Sequence, residues 1–339
     1  MYISVIICTW NRAALLDHTL TEMRKLTIPP GVEWELIVVN NNCSDNTDTV
    51  IARHGAYLPI RRLFEGTPGK SFAANLAISQ AKGSLLLWTD DDVLVDPDWL
   101  AAYVKAAEEW PDVMYFGGSV EPWFAVEPPK WISRNLTLLN AVYAIRRIGT
   151  VPRPVDELEF PFGVNMAMKR QVFDTISFDT RIGPRGSDQV HREDMELIGL
   201  MKRHGYQGRW VPTASLRHYI PAERLTYSYI WRWQFDEGRT VQRLQDLEDT
   251  KLFLGVPLLF GAPRWLVKQY LVYLAKVLLF YPFKNKQWIK AVKAAALTKG
   301  IIVEARLQSR AIASGRHAAV SNAGKTSEFH HEAAPAKGF

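Results

Sequence analysis

Short apolar segments alternate with longer amphipathic ones along the first 110 residues, and this alternation constrains the fold more than any other feature. Strands are predicted at residues 4–8, 34–39, 58–64 and 85–88, and helices at 13–26, 45–54, 70–81 and from 96 onwards. The strand segments are continuously apolar, which is typical of strands buried on both faces. Repeated β-α units of this length predict an α/β fold with a Rossmann-like, mostly parallel sheet flanked by helices, whose ligand-binding loops follow the strands.

Three consecutive carboxylates, Asp90, Asp91 and Asp92, follow the last of these strands. Adjacent carboxylates repel one another, so they require a cation, protonation or full solvation. A divalent Mg²⁺ or Mn²⁺ ion, held by one or two carboxylates and by substrate phosphates, would satisfy them. The alternative is a solvated acidic turn ahead of the next helix. The position at the end of a buried strand favours the metal site.

A second acidic pair, Glu193 and Asp194, opens a predicted helix after an arginine-rich loop. The helix dipole favours acidic residues in a first turn, but a carboxylate at a pocket edge can also act as a general base. His218, which follows a short predicted strand, is either a metal ligand or a structural histidine. The loop contains three arginines that either stabilise developing negative charge or form a solvated basic turn, namely Arg181, Arg185 and Arg192.

The Gly69-Lys70-Ser71 sequence after the third strand looks like the end of a phosphate-binding P-loop. That motif requires a further glycine five residues before Gly69, and position 64 is Phe. A P-loop is therefore excluded.

Five motifs, in order, resemble those of the family 2 glycosyltransferases between residue 1 and about residue 240. They are residues 4–12, residues 37–47, Gly69-Lys70-Ser71 with Asn75 and residues 81–83 leading to the acidic triplet, residues 162–167, and residues 193–197. The resemblance implies a GT-A fold and an inverting, metal-dependent transfer of a sugar from a nucleotide-diphosphate sugar to a hydroxyl acceptor. It also implies a nucleotide-sugar-binding α/β subdomain at residues 1–120 and an acceptor-binding, catalytic subdomain at residues 121–250.

The same resemblance implies roles for individual residues. The nucleotide sugar would be contacted by Thr9, Asn11, Arg12, Asn40, Lys70, Asn75, Asp90 and Asp91. The Mn²⁺ or Mg²⁺ ion would be bound by Asp92, with Asp90 and His218 as further ligands, and Asp194 would be the base, with Glu193 beside it. The family usually has Asp where Asn40 stands, accepting a hydrogen bond from uracil. Because an amide can accept or donate, a UDP-sugar remains the first expectation, and GDP- and dTDP-sugars become compatible.

Two other functions are compatible with parts of this pattern. A nucleotidyltransferase shares the strand-end acids and the nucleotide pocket, but it leaves the Glu193-Asp194 pair without a role. A non-catalytic, membrane-bound sugar-binding module would bury carboxylates that it does not use, which is costly. The sequence therefore favours a glycosyltransferase of polysaccharide or glycolipid synthesis, with a lipid-linked or polysaccharide acceptor.

Positive charge is concentrated in one region of the chain. Residues 252–317 carry a net charge of +10, whereas the whole chain carries +6. These cations recur among apolar residues at helical spacing, which is typical of helices at an anionic membrane surface. We therefore predict a basic, membrane-associating helical segment at residues 251–317 and a disordered tail at 318–339. The alternative is a helical subdomain that packs on the core or forms a dimer.

The remaining predictions concern partners and location. Nucleic acid is disfavoured, because the apolar helix faces outweigh any interleaving of basic and aromatic residues. No stretch reaches the roughly 18 uncharged apolar residues of a spanning helix. Two cysteines, Cys8 and Cys43, exclude a disulfide framework, and the first strand begins without a charged leader. We predict a cytoplasmic protein, peripheral at the inner face of the cell membrane, whose oligomeric state the sequence leaves open.

Overall fold

A nine-stranded mixed sheet organises the residues that the computed structural model describes, which are 1–156, 159–185, 192–247, 257–259 and 261–313. The predicted tail at 318–339 lies outside the described residues. The first part of the chain contains β1 (Tyr2–Thr9), α1 (Ala13–Met23), β2 (Glu33–Asn40), α2 (Thr47–His54), β3 (Ile60–Phe64), α3 (Lys70–Gln80), β4 (Leu85–Thr89), β5 (Val93–Val95) and α4 (Trp99–Glu109). This order reproduces the predicted alternation of strand and helix.

The rest of the chain is less regular. Its middle contains β6 (Tyr115–Phe124), α5 (Lys130–Ser133), α6 (Leu136–Leu139), β7 (Arg153–Pro154), β8 (Asn165–Lys169), α7 (Glu193–Arg203), β9 (Gly208–Ile220) and α8 (Tyr227–Leu247). The C-terminal part contains β10 (Leu258–Leu259), β11 (Ala262–Pro263), α9 (Arg264–Phe280), a 3₁₀ turn (Tyr281–Phe283) and α10 (Lys286–Ala313). The predicted C-terminal helical extension is thus present.

The sheet has the strand order β3-β2-β1-β4-β8-β6-β9-β5, and β7 pairs with β9. Strands β3, β2, β1 and β4 are parallel neighbours, as predicted for the β-α units. Strand β8 is inserted antiparallel between β4 and β6, and β5 pairs antiparallel with β9. The α/β prediction with a mostly parallel sheet is confirmed, and the antiparallel strands come from the part of the sequence without clear periodicity.

Strand β9 is longer than the short strand predicted ahead of His218, and it includes that residue. Its pairing with β6 runs from Gly208 to Val211, is interrupted, and resumes at Leu216. Pro212 lies in the interruption, where its missing N–H removes no ladder hydrogen bond to β6. The second half of β9 carries His218 to the level of Val93 on β5.

Helices cover both faces of the sheet. One buried cluster includes Val5 and Leu87 with residues of α1 and α4, and the other includes Ile6 and Trp88 with residues of α3 and α7. Successive side chains of a strand point to opposite faces, so strands that are covered on both sides need apolar residues at every position. This packing explains the continuously apolar strand segments of the sequence.

The C-terminal helices add a further layer. Helix α10 packs along α8, and its Trp288 and Ile289 are fully buried in a cluster that also contains Leu139 of α6. A Cβ atom added to Gly238 of α8 would lie 2.1 Å from the Leu297 carbonyl oxygen, and one added to Gly300 of α10 would lie 2.0 Å from that of Phe235. The two helix backbones therefore touch. Over its described residues α10 forms a packed layer on the core.

Candidate active site

A cavity of about 430 Å³ opens where β1 and β4 end, which is where parallel α/β sheets bind ligands. Its volume is within the range of small-molecule sites. Eight of the residues predicted from the sequence line it, namely Thr9, Asn11, Arg12, Lys70, Asp90, Asp91, Asp92 and His218. The tertiary structure thus brings the acidic triplet and His218, which are far apart in the sequence, together with the turn after β1.

Asp91 is the structural member of the acidic triplet. Thr9 Oγ1 donates to Asp91 Oδ2 at 2.6 Å, and Arg12 Nη1 donates to Asp91 Oδ1 at 3.1 Å. Burial raises the pKa of Asp91 to about 6 in spite of Arg12. Arg12 Nη1 also lies 3.1 Å from Asp92 Oδ2, so this one guanidinium relieves part of the repulsion within the triplet. Asp91 therefore anchors the turn after β1 against the end of β4.

Asp92 presents one oxygen that lacks a partner. Its Oδ1 is buried, accepts no hydrogen bond and lies 3.5 Å from His218 Nε2. His218 Nδ1 lies 3.0 Å from the Tyr143 carbonyl oxygen. A carbonyl only accepts, so Nδ1 carries a proton and Nε2 is the ring nitrogen that faces Asp92. Burial would raise the pKa of Asp92, but His218, Arg12 and Arg224 together hold it well below its usual range.

The pair formed by Asp92 and His218 fits a divalent cation. Asp92 Oδ1, a buried carboxylate oxygen that accepts no hydrogen bond, and the imidazole Nε2 opposite it are two ligand atoms of suitable type. Within the part of the chain that the structure describes, no group of three or more His, Cys, Asp or Glu side chains could hold a metal. The remaining coordination positions would therefore fall to substrate phosphates and water. Asp90, the other predicted ligand, pairs with Lys70 instead.

Lys70 lies between the two acidic clusters. Its Nζ is 2.9 Å from Asp90 Oδ1 and 3.5 Å from Glu193 Oε1. Burial alone would lower the pKa of Lys70, but Asp90, Glu193 and Asp194 raise it well above its ordinary value. Lys70 lines the main cavity and also a small adjoining cavity that contains Glu193 and Asp194. The lysine thus places a permanent positive charge between the predicted donor site and the predicted base.

Asp194 is held by backbone groups at the start of α7. Gly163 N donates to Asp194 Oδ2 at 2.6 Å, and Met195 N donates to Asp194 Oδ1 at 2.8 Å. A Cβ atom on residue 163 would lie 3.1 Å from Asp194 Oδ2, so glycine allows the close approach. The carboxylate remains half-buried, whereas the neighbouring Glu193 is buried against Lys70. Of the two, Asp194 is the more accessible acid.

Glu193 makes the stability of the fold depend on pH. Burial raises its pKa from 4.5 to about 7, with Lys70 opposing the rise and Asp194 adding to it. As the pH rises above about 4.5 the unfolded chain ionises first, so folding stability falls until about pH 7 and stays low above it. We expect Glu193→Gln to stabilise the protein by roughly 2 kcal/mol more at about pH 8 than at about pH 5, measured by urea unfolding.

The matched control for that prediction is Glu196→Gln on the same helix. Glu196 pairs with Arg203 at 2.8 Å near the surface, so its replacement removes one carboxylate without relieving burial. We expect no comparable pH dependence from this control. An equal effect of Glu193→Gln at both pH values would contradict the prediction.

Two predicted donor contacts lie outside the cavity lining. Asn40 is buried, donates from Nδ2 to Asp48 Oδ1 at 2.7 Å and accepts from Cys43 N at 2.8 Å. Asn75 exchanges two hydrogen bonds with the backbone of Phe178. The cavity is lined instead by Asn41, the residue after β2, whose amide donates to the Glu65 and Thr67 carbonyl oxygens and accepts from Gly69 N. In this structure Asn40 and Asn75 hold protein segments together and leave the cavity to their neighbours.

The arginines of the loop before α7 also contact the protein. Arg181 Nη2 lies 2.7 Å from Asp179 Oδ2, Arg185 lies over the Phe72 ring, and Arg192 Nε donates to Glu237 Oε1 at 2.6 Å. None of the three lines the main cavity. These three arginines therefore contact the protein itself, and their role in charge stabilisation stays a prediction.

Several site residues were missed at the sequence level. Arg224, whose Nη2 lies 3.8 Å from Asp92 Oδ2, lines the cavity with Tyr229 and Trp233 of α8. Trp10 also lines the cavity and is 45% exposed. The sequence of the aromatic-rich helix α8 contains no signal that shows which of its faces lines a site.

Solved structures of similar fold identify the class to which this fold belongs. A mannosyltransferase from Pyrobaculum calidifontis, solved in complex with GDP-Man and Mn²⁺, has a TM-score of 0.52 and 19% identity, covering 96% of this chain and 80% of its own. Residues 1–349 of S. aureus TarS have a TM-score of 0.50 and 14% identity, covering 93% of this chain and 92% of theirs. The fold is therefore a GT-A fold, as the resemblance implied.

The sequence relationships give the family. The "Glycosyl transferase family 2" model matches residues 4–177, and the chain belongs to this family of glycosyltransferases. Among curated proteins, the glucosyl-dolichyl phosphate glucuronosyltransferase of Haloferax volcanii is 22% identical over 259 residues, which are 73% of this chain and 78% of the relative. The expectation of a family 2 glycosyltransferase is confirmed.

Proposed function

We propose that this glycosyltransferase transfers a sugar, with inversion, from a nucleotide-diphosphate sugar to a hydroxyl of a lipid-linked or polysaccharide acceptor, and that it requires Mn²⁺ or Mg²⁺. The observation that carries the proposal is the partnerless Oδ1 of Asp92, which faces His218 Nε2 at 3.5 Å within the main cavity. Family membership favours glycosyl transfer over the nucleotidyltransferase and the non-catalytic binding module.

The donor diphosphate is placed against Asp92 and His218. When bound, a divalent ion supplies Lewis-acid stabilisation of the negative charge on the leaving diphosphate. The P. calidifontis mannosyltransferase, whose complex contains GDP-Man and Mn²⁺, supports a nucleotide sugar and a metal at this position. Lys70 and Arg224 line the same cavity and add fixed positive charge around the phosphates. Asp90, half-buried beside Lys70, is assigned to the ribose side of the nucleotide.

The acceptor is activated by Asp194. Its carboxylate accepts the proton of the attacking hydroxyl while the bond between the sugar C1 and the diphosphate oxygen breaks, and a nucleoside diphosphate leaves. The Gly163 and Met195 N–H groups fix the orientation of the carboxylate, and its half-buried position leaves it open to an acceptor. Attack on the face opposite the leaving group inverts the configuration at C1.

The contacts of Asn40 do not determine which nucleobase the donor carries. Both polar atoms of that side chain bind protein groups, Asp48 and Cys43 N, and Asn40 does not line the cavity, so its position does not favour the predicted contact to uracil. The UDP-sugar expectation therefore stays a prediction. Recognition would fall to the turn after β1, where Trp10 and Asn11 line the cavity.

A lipid-linked acceptor places the enzyme at a membrane. The name of the H. volcanii relative specifies a glucosyl-dolichyl phosphate, which supports this acceptor class. We propose peripheral attachment at the inner face of the cell membrane through the basic C-terminal region, whose residues 251–256 lie outside the described residues. This attachment brings the cavity to the surface where such acceptors are held.

The proposed function is tested in two steps. The first is a screen for the nucleoside diphosphate that binds, and the second is an analysis of the reaction products. We expect thermal stabilisation by one nucleoside diphosphate, UDP or GDP, only with Mn²⁺ or Mg²⁺, and release of that nucleoside diphosphate when a polyprenyl-phosphate-linked sugar is added. Inversion is read from the anomeric configuration of the product by NMR. Release of pyrophosphate would instead identify a nucleotidyltransferase, and stabilisation that chelation leaves unchanged would contradict the metal requirement.

A further inference from the structure

Helix α9 and the turn after it expose an unusually apolar surface. The side chains of Leu278 and Phe283 are 76% and 69% exposed, and four neighbours are also largely exposed. We call this surface the α9 tip, and its members are Leu271, Val272, Leu278, Leu279, Tyr281 and Phe283. Contiguous exposed apolar surface of this kind marks an interaction site.

Cations surround the α9 tip and acids are absent from its sequence. Between residues 264 and 290 the chain has six Lys or Arg residues and no Asp or Glu. Lys276 lies on α9 itself, and Lys284, Lys286 and Lys290 follow it, all exposed. An apolar surface with a cationic border complements a bilayer that contains anionic lipid.

Aromatic rings continue the α9 tip towards the active-site layer. Tyr281 contacts Trp288 with ring centroids 6.1 Å apart, and Trp288 stacks on Tyr227 at 5.7 Å. Tyr227 begins a groove of about 480 Å³, which Trp231 and Phe235 also line, together with Arg232 and Lys299. Tyrosine and tryptophan rings beside cations are typical of the headgroup level of a membrane.

We propose that the α9 tip inserts into the interfacial region of an anionic membrane and holds the cavity at a fixed orientation to that surface. The inference rests on the proposed lipid-linked acceptor and adds the residues that make the contact. Val277 of α9, Trp288 of α10 and Val142, which lines the cavity, belong to one buried cluster. The α9 tip and the cavity wall therefore move as one packed unit.

The positions of the lysines along α9 favour a helix that lies on the membrane over one that crosses it. Among the described residues, one helical stretch, Arg264–Phe283, is long and apolar enough to span a bilayer by length and composition, with 11% of its most apolar window buried. The sequence prediction missed it because it counted only uncharged stretches. Lys268 and Lys276 are exposed along α9, and spanning would bring both ammonium groups into the hydrocarbon region, where charged side chains are strongly disfavoured.

The charge pattern also disfavours a second copy of the chain as the partner. A two-fold symmetric dimer through the α9 tip would bring the bordering lysines of both copies, Lys276, Lys284 and Lys286, into one interface that contains no acid from this stretch of the chain. Like charges brought together in this way oppose association. Anionic lipid headgroups neutralise the same lysines.

The test uses the full-length protein and vesicles made of equal parts phosphatidylcholine and phosphatidylglycerol. We expect the protein to cosediment with these vesicles, and Leu278→Asp combined with Leu279→Asp to weaken binding by about 100-fold or more. Lys284→Ala and Lys286→Ala should each weaken binding by about fivefold on these vesicles, and not on pure phosphatidylcholine. The control Val151→Asp changes another apolar residue, 63% exposed and outside the α9 tip, and should leave binding unchanged.

A parallel assay separates this inference from the proposed function. Transfer to a short-chain, water-soluble acceptor should be equal in the wild type and the Leu278→Asp, Leu279→Asp double variant, which also shows that the variant folds. If no acceptor supports release of a nucleoside diphosphate, the proposed function is overturned, whatever the vesicle result. If the wild type is active but the double variant binds vesicles normally, or if the wild type is a dimer that this variant converts to a monomer, the membrane inference is overturned.

Discussion

Replacing Asp92 with Asn is expected to lower turnover by about 1000-fold and to abolish the dependence of nucleotide binding on Mn²⁺. Asp92 Oδ1 is the buried oxygen without a partner in the cavity, and an amide oxygen at this position lacks the negative charge that a divalent ion requires. Titration calorimetry with the nucleoside diphosphate, with and without Mn²⁺, measures the effect directly. The wild type should show metal-dependent affinity, and the variant should show only the weak metal-independent component.

Asp112→Asn is the matched control for this substitution. Asp112 is exposed and precedes β6, which begins at the end of the sheet's strands that is opposite the cavity. The Asp112→Asn substitution also removes one aspartate carboxylate. An effect that came only from the change in net charge would therefore appear in both variants. Equal Mn²⁺-dependent affinity in Asp92→Asn and the wild type would remove Asp92 from the metal site. Unchanged thermal unfolding of both variants would show that the fold is kept.

Replacing Asp194 with Asn is expected to preserve donor binding and to lower turnover by about 100- to 10,000-fold, the usual contribution of a general base. The Asn side-chain oxygen can accept the hydrogen bond from Gly163 N, and only the bond from Met195 N is lost, so the start of α7 should remain in place. It cannot take the proton of an acceptor hydroxyl. Turnover measured at saturating donor and acceptor, beside calorimetry for donor affinity, separates the two effects.

Glu196→Gln provides the control on the same helix, because Glu196 pairs with Arg203 away from the cavity. It should change turnover less than twofold, since exposed pairs contribute little. Near-normal turnover in Asp194→Asn would show that another group accepts the proton. Glu193 would then be the next candidate, since its pKa of about 7 suits a base at neutral pH.

The C-terminal region shows the limit of prediction from local pattern. Helices α9 and α10 both combine lysines with apolar residues, and the sequence assigned both to a membrane-associating segment. In the structure Trp288 of α10 is 2% exposed, whereas Leu278 of α9 is 76% exposed. Helical periodicity shows that a face is apolar but not what covers it. Only the contact of α10 with α8, through Gly238 and Gly300, assigns that face to the core.

On the donor side of the cavity, prediction from local pattern reaches the same limit in choosing between two adjacent residues. The motif around Asn40 was recognised, and the turn after β1 was placed at the site. Asn40 ends β2 and Asn41 follows it, and the surroundings of each side chain depend on segments distant in the sequence, such as Thr67 and Gly69. The structure directs Asn40 to Asp48 and Cys43 N, and Asn41 to the cavity.

The sequence by itself determined the α/β architecture and the placement of the acidic triplet at a strand end, because both depend on the spacing of near neighbours along the chain. The tertiary structure decided which acid has a free oxygen. Asp92 faces His218 because β5 pairs with the end of β9, after the interruption at Pro212. Asp90 and Glu193 share Lys70 because α3 and α7 begin side by side. Such pairings join residues that are far apart in the chain, so the local periodicity of the sequence does not predict them.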